Sequence, residues 1–361
     1  MEMPRVAIIY LTYHSDEFIG RFIDALAQLS YPKDQLAVYV VDHPHPEFGS
    51  SIPALENVLQ GHRGTAVLPK IKMLKQSENR GFSGGVNVGI RAALQGGAEY
   101  VFLHSHDGFL APNALQKLVQ AMEADTTIGA AQALMRSYPE TTQVNNAGGL
   151  FQFLGFGSIS ATEVRSPKSE VQEIGYASGG AVLLRSVLLQ TYGLWDEDYF
   201  LYHEDIEYSL RLRSVGYRIV VVPDAVLYHR YDFGRNPKKW FFMERNRFGL
   251  LLSVYKLPTL LIFFPLALVI EIAVLAFAFQ HGWLKEKLAA YRYWLNPTHY
   301  PVWLAKRKKF QLQRTVGDKV LLQHAVAHVS FAQTDFDSLL MRAGNVVMSV
   351  LLRIIKKIVW W

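Results

Sequence analysis

Apolar runs and amphipathic stretches alternate along the first part of the chain. A run at residues 6–11 precedes a helical pattern at 16–29, and a second run at 37–41 precedes another near 51–60. A third run at 71–74 and a helix near 83–95 lead to a fourth run at 100–103. Strands alternating with helices at this pitch predict an α/β fold, a mainly parallel sheet covered by helices on both faces. From about 140 to 235 the pattern reads as a second half on the same sheet: a glycine-hinged strand at 175–185, an acidic segment at 196–205, a helix behind it and a strand at 217–223. In that helix Ile206, Leu210 and Arg213 fall on related faces and Glu207 and Arg211 lie four apart, a favourable pair. Glu204 and Asp205 then sit in the first turn, where unpaired backbone N–H groups and the helix dipole favour an ionised carboxylate. Such a carboxylate suits a general base, and it equally suits a plain helix start.

The last third changes character. Residues 259–279 carry one charge, Glu271, and one internal proline, Pro265, and are long enough to span a bilayer. Three readings compete: a spanning helix, a helix broken at Pro265 that dips into one leaflet and returns, and a buried core helix. Residues 339–361 pattern as an amphipathic helix, with Leu339, Leu340, Val346, Val347, Val350, Leu351, Ile354, Ile355 and Ile358 opposite Arg342, Asn345, Arg353, Lys356 and Lys357. With Trp360 and Trp361 this predicts an interfacial membrane helix, and a dimerisation helix within a homo-oligomer is the rival. The expected organisation is a catalytic domain at 1–250 and a helical, membrane-associated region at 251–361.

Composition supports the membrane reading. The chain has 361 residues, 50% of them hydrophobic and 13% aromatic, which is rich for a soluble enzyme. The net charge of +6 matters less than its placement, in Lys306, Arg307, Lys308 and Lys309 and again in Arg353, Lys356 and Lys357, beside tryptophans. Cations among aromatics and long apolar runs fit an anionic lipid surface better than nucleic acid. The absence of cysteine excludes disulfides, a thiolate zinc site and a cysteine nucleophile. Met1 leads straight into the first strand with no secretion signal, so the cytoplasmic face of the cell membrane is the expected location.

Ligands of open α/β sheets bind beyond the carboxyl ends of the strands. The polar residues that follow the runs are therefore candidates: Thr12, Tyr13 and His14, then Asp42 and His43, then His104, Ser105, His106 and Asp107. Residues 80–89 form a glycine-rich loop opening a helix, able to bring backbone N–H groups close to a phosphate or ribose. Its spacing is neither the dinucleotide fingerprint nor the P-loop, and small residues for close packing would explain it as well.

Taken in order, these motifs resemble the family-2 glycosyltransferases, in particular the bacterial branch of rhamnosyl- and galactofuranosyl-type enzymes. The likeness runs from about residue 5 to 250. It rests on Val6 to Tyr13, on Val40-Val41-Asp42, on Glu78-Asn79-Arg80-Gly81-Phe82-Ser83-Gly84-Gly85-Val86-Asn87-Val88-Gly89, and on Leu103 to Asp107. Gly193-Leu194-Trp195-Asp196-Glu197 through Glu204-Asp205, then Arg211, Pro223 and His229, complete the series. The resemblance implies the GT-A fold and metal-dependent transfer of a hexose-type sugar, with inversion, from a nucleotide-diphosphate sugar to a hydroxyl of a lipid-linked or cell-surface glycan. It implies Asp205, with Glu204 as its neighbour and backup, for the base; Asp107 and His229 for Mg²⁺ or Mn²⁺; and Thr12, Tyr13, Asp42, Arg80, Gly81, Gly85, Asn87 and Ser105 for the donor. Gly179, Gly180 and Trp195 fall on the acceptor side. The sequence departs from the family at His14, at His43-Pro44-His45-Pro46, and at Ser105-His106-Asp107, which offers one carboxylate where two are frequent. A non-catalytic relative serving binding or assembly in a glycan machinery is the alternative.

Overall fold

The computed structural model describes residues 3–161, 171–230, 238–328 and 339–361. Twelve strands are present among these residues: β1 (Val6–Thr12), β2 (Leu36–Asp42), β3 (Lys70–Lys75), β4 (Tyr100–His104), β5 (Gly108–Leu110), β6 (Ile128–Ser137), β7 (Val144–Asn146), β8 (Gly149–Phe151), β9 (Gly157–Ile159), β10 (Gln172–Glu173), β11 (Ala181–Arg185) and β12 (Arg218–His229). The α-helices are α1 (Asp16–Gln28), α2 (Ile52–Gly61), α3 (Gly81–Gln95), α4 (Ala114–Ala124), α5 (Ser186–Tyr192), α6 (Glu204–Ser214), α7 (Lys239–Val254), α8 (Leu257–Gln280), α9 (Leu284–Leu295), α10 (Tyr300–Gln313), α11 (Asp318–Gln323) and α12 (Leu339–Ile358). They form two compact units. A sheet unit comprises Met1–Gly148, Ser160–Phe200 and Tyr217–Tyr231; a helical unit comprises Gly149–Ile159, Leu201–Gly216 and Asp232–Trp361. Helix α6, with Glu204 and Asp205, thus groups with the C-terminal helices and not with the strands that precede it.

In the sheet unit the main strand order is β10-β12-β6-β11-β4-β1-β2-β3. The expected β1, β2, β3 and β4 are parallel to one another, as the alternating pattern requires. The sheet as a whole is mixed, however, because β11 runs antiparallel to both β4 and β6. Its apolar residues 181–184 are all buried, the mark usually read as a parallel strand. Burial on both faces reflects the cover and not the direction, so the pattern could not distinguish the two.

Alternation along each strand divides the core. Val6, Ile8, Tyr10, Val38, Val40 and Phe102 pack with Phe22, Ile23 and Leu26 of α1 and with α2 and α4. The opposite face receives α3, where Gly89 admits Ile9 and Val41 at contact distance. Each large apolar side chain buried this way contributes about 1.5–3 kcal/mol.

In the helical unit α8 is one continuous helix through Pro265, unlike the reading, one of the three, that broke it there. Proline lacks the N–H that bonds the preceding turn, yet it is tolerated where the rest of the helix holds its geometry. Nor is α8 a core helix: Thr259, Phe263, Val274 and Ala278 are its buried residues and most of its apolar side chains are exposed.

Candidate active site

The carboxyl ends of β1 and β2 are joined by a side chain. Thr12 Oγ1 donates to Asp42 Oδ1 at 2.8 Å, the Ser51 backbone N–H donates to the same oxygen at 3.1 Å, and Ser50 Oγ donates to Oδ2 at 2.5 Å. Asp42 is thus the anchor of the loop at 43–51. The sequence did not mark Ser50 and Ser51, because their role depends on the loop closing back on the strand end. Beside this anchor lies an aromatic group. His14 stacks on Phe48 at 3.9 Å between ring centres, and Tyr13 lies 4.9 Å from His45. His14 is held at φ 51°, a turn conformation uncommon outside glycine and asparagine. His43 is buried beneath; burial, with the positive Arg80 nearby, lowers its pKa against the opposing pull of Asp42.

The turn after β4 supplies the second cluster. Ser105 N–H donates to Gly180 O at 2.8 Å and Tyr10 OH donates to His106 O at 2.8 Å, fixing the turn so that Asp107 meets the end of β12. There Asp107 Oδ1 and His229 Nε2 are 3.1 Å apart, and His229 Nδ1 lies 3.0 Å from Asn145 Oδ1. An amide oxygen can only accept, so Nδ1 carries a proton and Nε2 is the nitrogen turned to the carboxylate. Burial alone would raise the Asp107 pKa. The hydrogen bond and charge of His229, with His106 adding to them, outweigh burial and hold the carboxyl well below the usual range. With Nδ1 held by Asn145, a hard divalent cation that displaced the Nε2 proton could share this nitrogen and the buried carboxylate oxygen, with phosphate oxygens and water completing its shell. Among the described residues no group of three or more His, Cys, Asp or Glu could hold a metal. Asn145 was not legible in the sequence, since it stands in a short segment without periodicity or motif.

The glycine-rich loop is built into the scaffold more firmly than its sequence suggested. Gly81 N–H donates to Asn79 Oδ1 at 2.8 Å, and Phe82 and Ser83 N–H both reach Phe200 O, at 2.7 and 3.4 Å. Three of the four N–H groups that a helix start leaves open are therefore satisfied within the protein. Gly81 has φ +69°, and a Cβ there would collide with the Phe200 carbonyl. Gly85 packs on Leu11 and His43. Asn87 Nδ2 donates to Trp195 O at 2.8 Å while its Oδ1 accepts from Trp195 N–H at 3.1 Å, so it clamps the loop that carries Trp195. Glu197 accepts from Arg80 at 2.9 Å, Arg91 at 2.8 Å and Asn87 at 3.0 Å. Trp195 meets Phe82 edge-on at 5.7 Å, and a Cβ on Gly179 would stand 2.8 Å from Phe82, so glycine is needed for this contact. Gly180 backs on Ser105. Thr12, Tyr13 and Asp42 thus form one group, Ser105, Asp107, His229 and Gly180 a second, and Arg80, Gly81, Asn87, Gly179 and Trp195 a third.

In the helical unit Glu204 and Asp205 open α6 as expected. Tyr202 and His203, at φ 66° and 69°, hold the left-handed turn that leads into it. Asn246, fully buried on α7, donates to Leu201 O at 3.0 Å and Tyr202 O at 2.6 Å, and His203 Nε2 is 3.0 Å from Gly155 O. These bonds over-determine a conformation that costs on the order of 1–3 kcal/mol per residue. The two carboxylates differ sharply. Glu204 is buried and its Oε2 has no hydrogen-bond partner, whereas Asp205 is half-exposed. Burial, then the charge of Asp205, raises the Glu204 pKa well above the ordinary value. The predicted Glu207–Arg211 pair is present, bidentate and buried, so it braces α6 from inside.

Polar groups gathered at the strand ends of a mixed α/β sheet, a buried acid–histidine pair among them, fit a nucleotide-sugar transferase domain of GT-A type. The model of the family described as "Glycosyltransferase like family 2" matches residues 4–249, and the chain belongs to that family. It is 27% identical over 253 residues to the N-acetylglucosaminyl-diphospho-decaprenol L-rhamnosyltransferase of Mycobacterium tuberculosis, a match covering 64% of this chain and 78% of that protein. It is 26% identical over 213 residues to the dTDP-rhamnosyl transferase RfbF of Shigella flexneri, covering 54% of this chain and 68% of that one. Among solved structures it is similar in fold to the mannosyltransferase PcManGT of Pyrobaculum calidifontis in complex with GDP-Man and Mn²⁺, with 19% identity, a TM-score of 0.50 and coverage of 99% of this chain and 87% of that one. It is also similar to GalNAc-T7 with UDP, GalNAc and Mn²⁺, with 13% identity and a TM-score of 0.55, over 70% of this chain and 48% of that chain, about half its length.

Proposed function

We propose that the protein transfers a rhamnose-type deoxyhexose, with inversion, from a nucleotide-diphosphate donor to a hydroxyl of a lipid-linked cell-envelope glycan at the cytoplasmic face of the membrane. The buried Asp107–His229–Asn145 relay carries this reading, and the two rhamnosyltransferase relatives support the sugar class. A divalent cation held by Asp107 and His229 would neutralise charge on the departing diphosphate. Mn²⁺ suits this pair better than Mg²⁺ because imidazole is one of its two protein ligands.

Asp205 takes the proton from the acceptor hydroxyl as that oxygen attacks the anomeric carbon. Its half-exposed place in the first turn of α6 leaves it reachable by an acceptor hydroxyl. Glu204, buried and proton-holding, is unsuited to begin as a base. Displacement on the face opposite the leaving diphosphate inverts the anomeric centre. On the donor side Asp42 and Thr12 set the strand-end anchor, Tyr13 offers an aromatic face, and Ser105 with Gly180 lines the floor. Arg80, Gly81, Gly85 and Asn87 contribute by fixing the loop that carries Trp195 and Glu197.

The test is a panel of nucleotide sugars incubated with the purified protein, a polyprenyl-diphosphate-linked acceptor and Mn²⁺, read by product mass. The reading expects addition of one deoxyhexose from a deoxyhexose donor, lost with chelator. Absence of any product from every donor would leave the non-catalytic alternative.

A further inference from the structure

Helix α8 is anchored at one point by charge. Glu271 accepts from Lys287 Nζ at 2.6 Å and Tyr291 OH at 2.7 Å, both on α9, and pairs with Arg247 of α7. Arg247 and Lys287 are buried and are shared with Glu244 of α7, which their charges hold ionised down to about 2 against the effect of its burial. Beside Glu271 and turned away from the buried Thr259, Phe263, Val274 and Ala278, α8 presents Leu261, Phe264, Leu268, Ile272, Leu275 and Phe279 to solvent. Of its exposed residues only Gln280, in the last turn, bears a hydrogen-bonding side chain.

A second helix repeats the arrangement. On α12, Met348, Leu352 and Ile355 are buried, while Val347, Val350, Ile354 and Ile358 form an exposed stripe at helical spacing. Arg353 and Lys357 are exposed beside this stripe, and Trp360 follows it. The two helices are tied where Trp361 Nε1–H donates to Thr259 Oγ1 at 2.9 Å. After position 250 the chain carries fourteen basic and five acidic residues.

We infer that the helical unit docks in the plane of an anionic lipid leaflet through the exposed faces of α8 and α12, and that α8 does not cross the bilayer. Crossing would carry the Glu271 carboxylate into hydrocarbon and leave Arg247 and Lys287 buried with one partner fewer, both strongly unfavourable. Among the described residues α8 is the one helix long and apolar enough to cross, so α7 and α9 could not follow it to keep the pairs intact. Lying flat retains every pair and buries the apolar face at the headgroup boundary, with cations toward anionic lipid. A second copy of this chain would bring the same excess of positive charge to the contact. The inference rests on the membrane location proposed above and adds its geometry.

The chain contains no cysteine, so single probes need no background removal. Leu261→Cys, Leu268→Cys and Phe279→Cys, each labelled with an environment-sensitive fluorophore, are mixed as full-length protein with phosphatidylcholine vesicles with and without phosphatidylglycerol. In-plane docking gives a blue shift at all three positions, equal quenching by shallow lipid quenchers, and loss of binding in Arg353→Glu/Lys357→Glu. A deep Leu268 probe with Leu261 and Phe279 reporting opposite leaflets would overturn it in favour of spanning. A concentration-dependent shift without vesicles would overturn it in favour of self-association. No shift under any condition would overturn it together with the membrane location, while sugar transfer to a soluble acceptor analogue would remain intact.

Discussion

Asp107 in the sheet unit and Glu204 in the helical unit are equally buried, at 5% exposure each, yet their charge states diverge. Asp107 faces a histidine oriented by an amide oxygen and stays ionised far into acid. Glu204 faces no donor at Oε2, lies beside a like charge, and holds its proton. Burial sets how much a partner matters; the partner sets the sign.

The largest test of this contrast is Asp205→Asn. Loss of the base should lower kcat by about 10²–10⁴ with little change in donor affinity. The same substitution removes the like charge beside Glu204, so if Asp205 were a bystander, activity would survive. Asp107→Asn should lower kcat/KM by about 10²–10³, the scale of losing a cation's several kcal/mol at the diphosphate, and should abolish the Mn²⁺ dependence of nucleotide binding in calorimetry. Asn145→Ala, acting only through His229, should weaken Mn²⁺ affinity by about 10–100-fold, the usual range for a residue that orients a ligand.

Glu204→Gln should do the reverse of Asp107→Asn: activity nearly unchanged, and stability higher at neutral pH, because an amide in this place needs no proton taken up on folding. Native Glu204 keeps a proton that the unfolded chain releases above about 4.3, so its contribution to stability falls as pH rises from there, and the glutamine removes that slope. Denaturant melts across pH 5–8 on both proteins read this directly, and parallel curves would refute the buried acid.

The smallest effect is acidic. His104 and His203 are lowered to about 4, mainly by burial, so the unfolded chain takes up protons first as pH drops below about 6.5. Stability from these two is full above that value and declines toward pH 4. Replacing His203 by glutamine, which can still donate to Gly155 O, should flatten part of that decline.

Much of this was legible in the chain and some was not, for physical reasons. The parallel strands β1 to β4, the carboxylates opening α6 and the Glu207–Arg211 pair follow from periodicity and spacing that any α/β chain must obey. The direction of β11 was hidden because a strand covered on both faces reads the same either way. Asn145 and Asn246 were hidden because each acts on residues far away in sequence, and Ser50 because only the return of its loop to the strand end brings it to Asp42. Glu197 stood in view among five acidic residues, but its three cationic and amide partners could be assigned only after α3 had been placed.

The bonds from Phe82 and Ser83 N–H to the Phe200 carbonyl, with no room for a side chain at Gly81, make two distant motifs a single inherited part. A chimera that takes the glycine-rich segment from one relative and the Trp195–Phe200 segment from another would inherit halves of two different locks. Efforts to redirect this scaffold to new sugars should therefore exchange the two segments together.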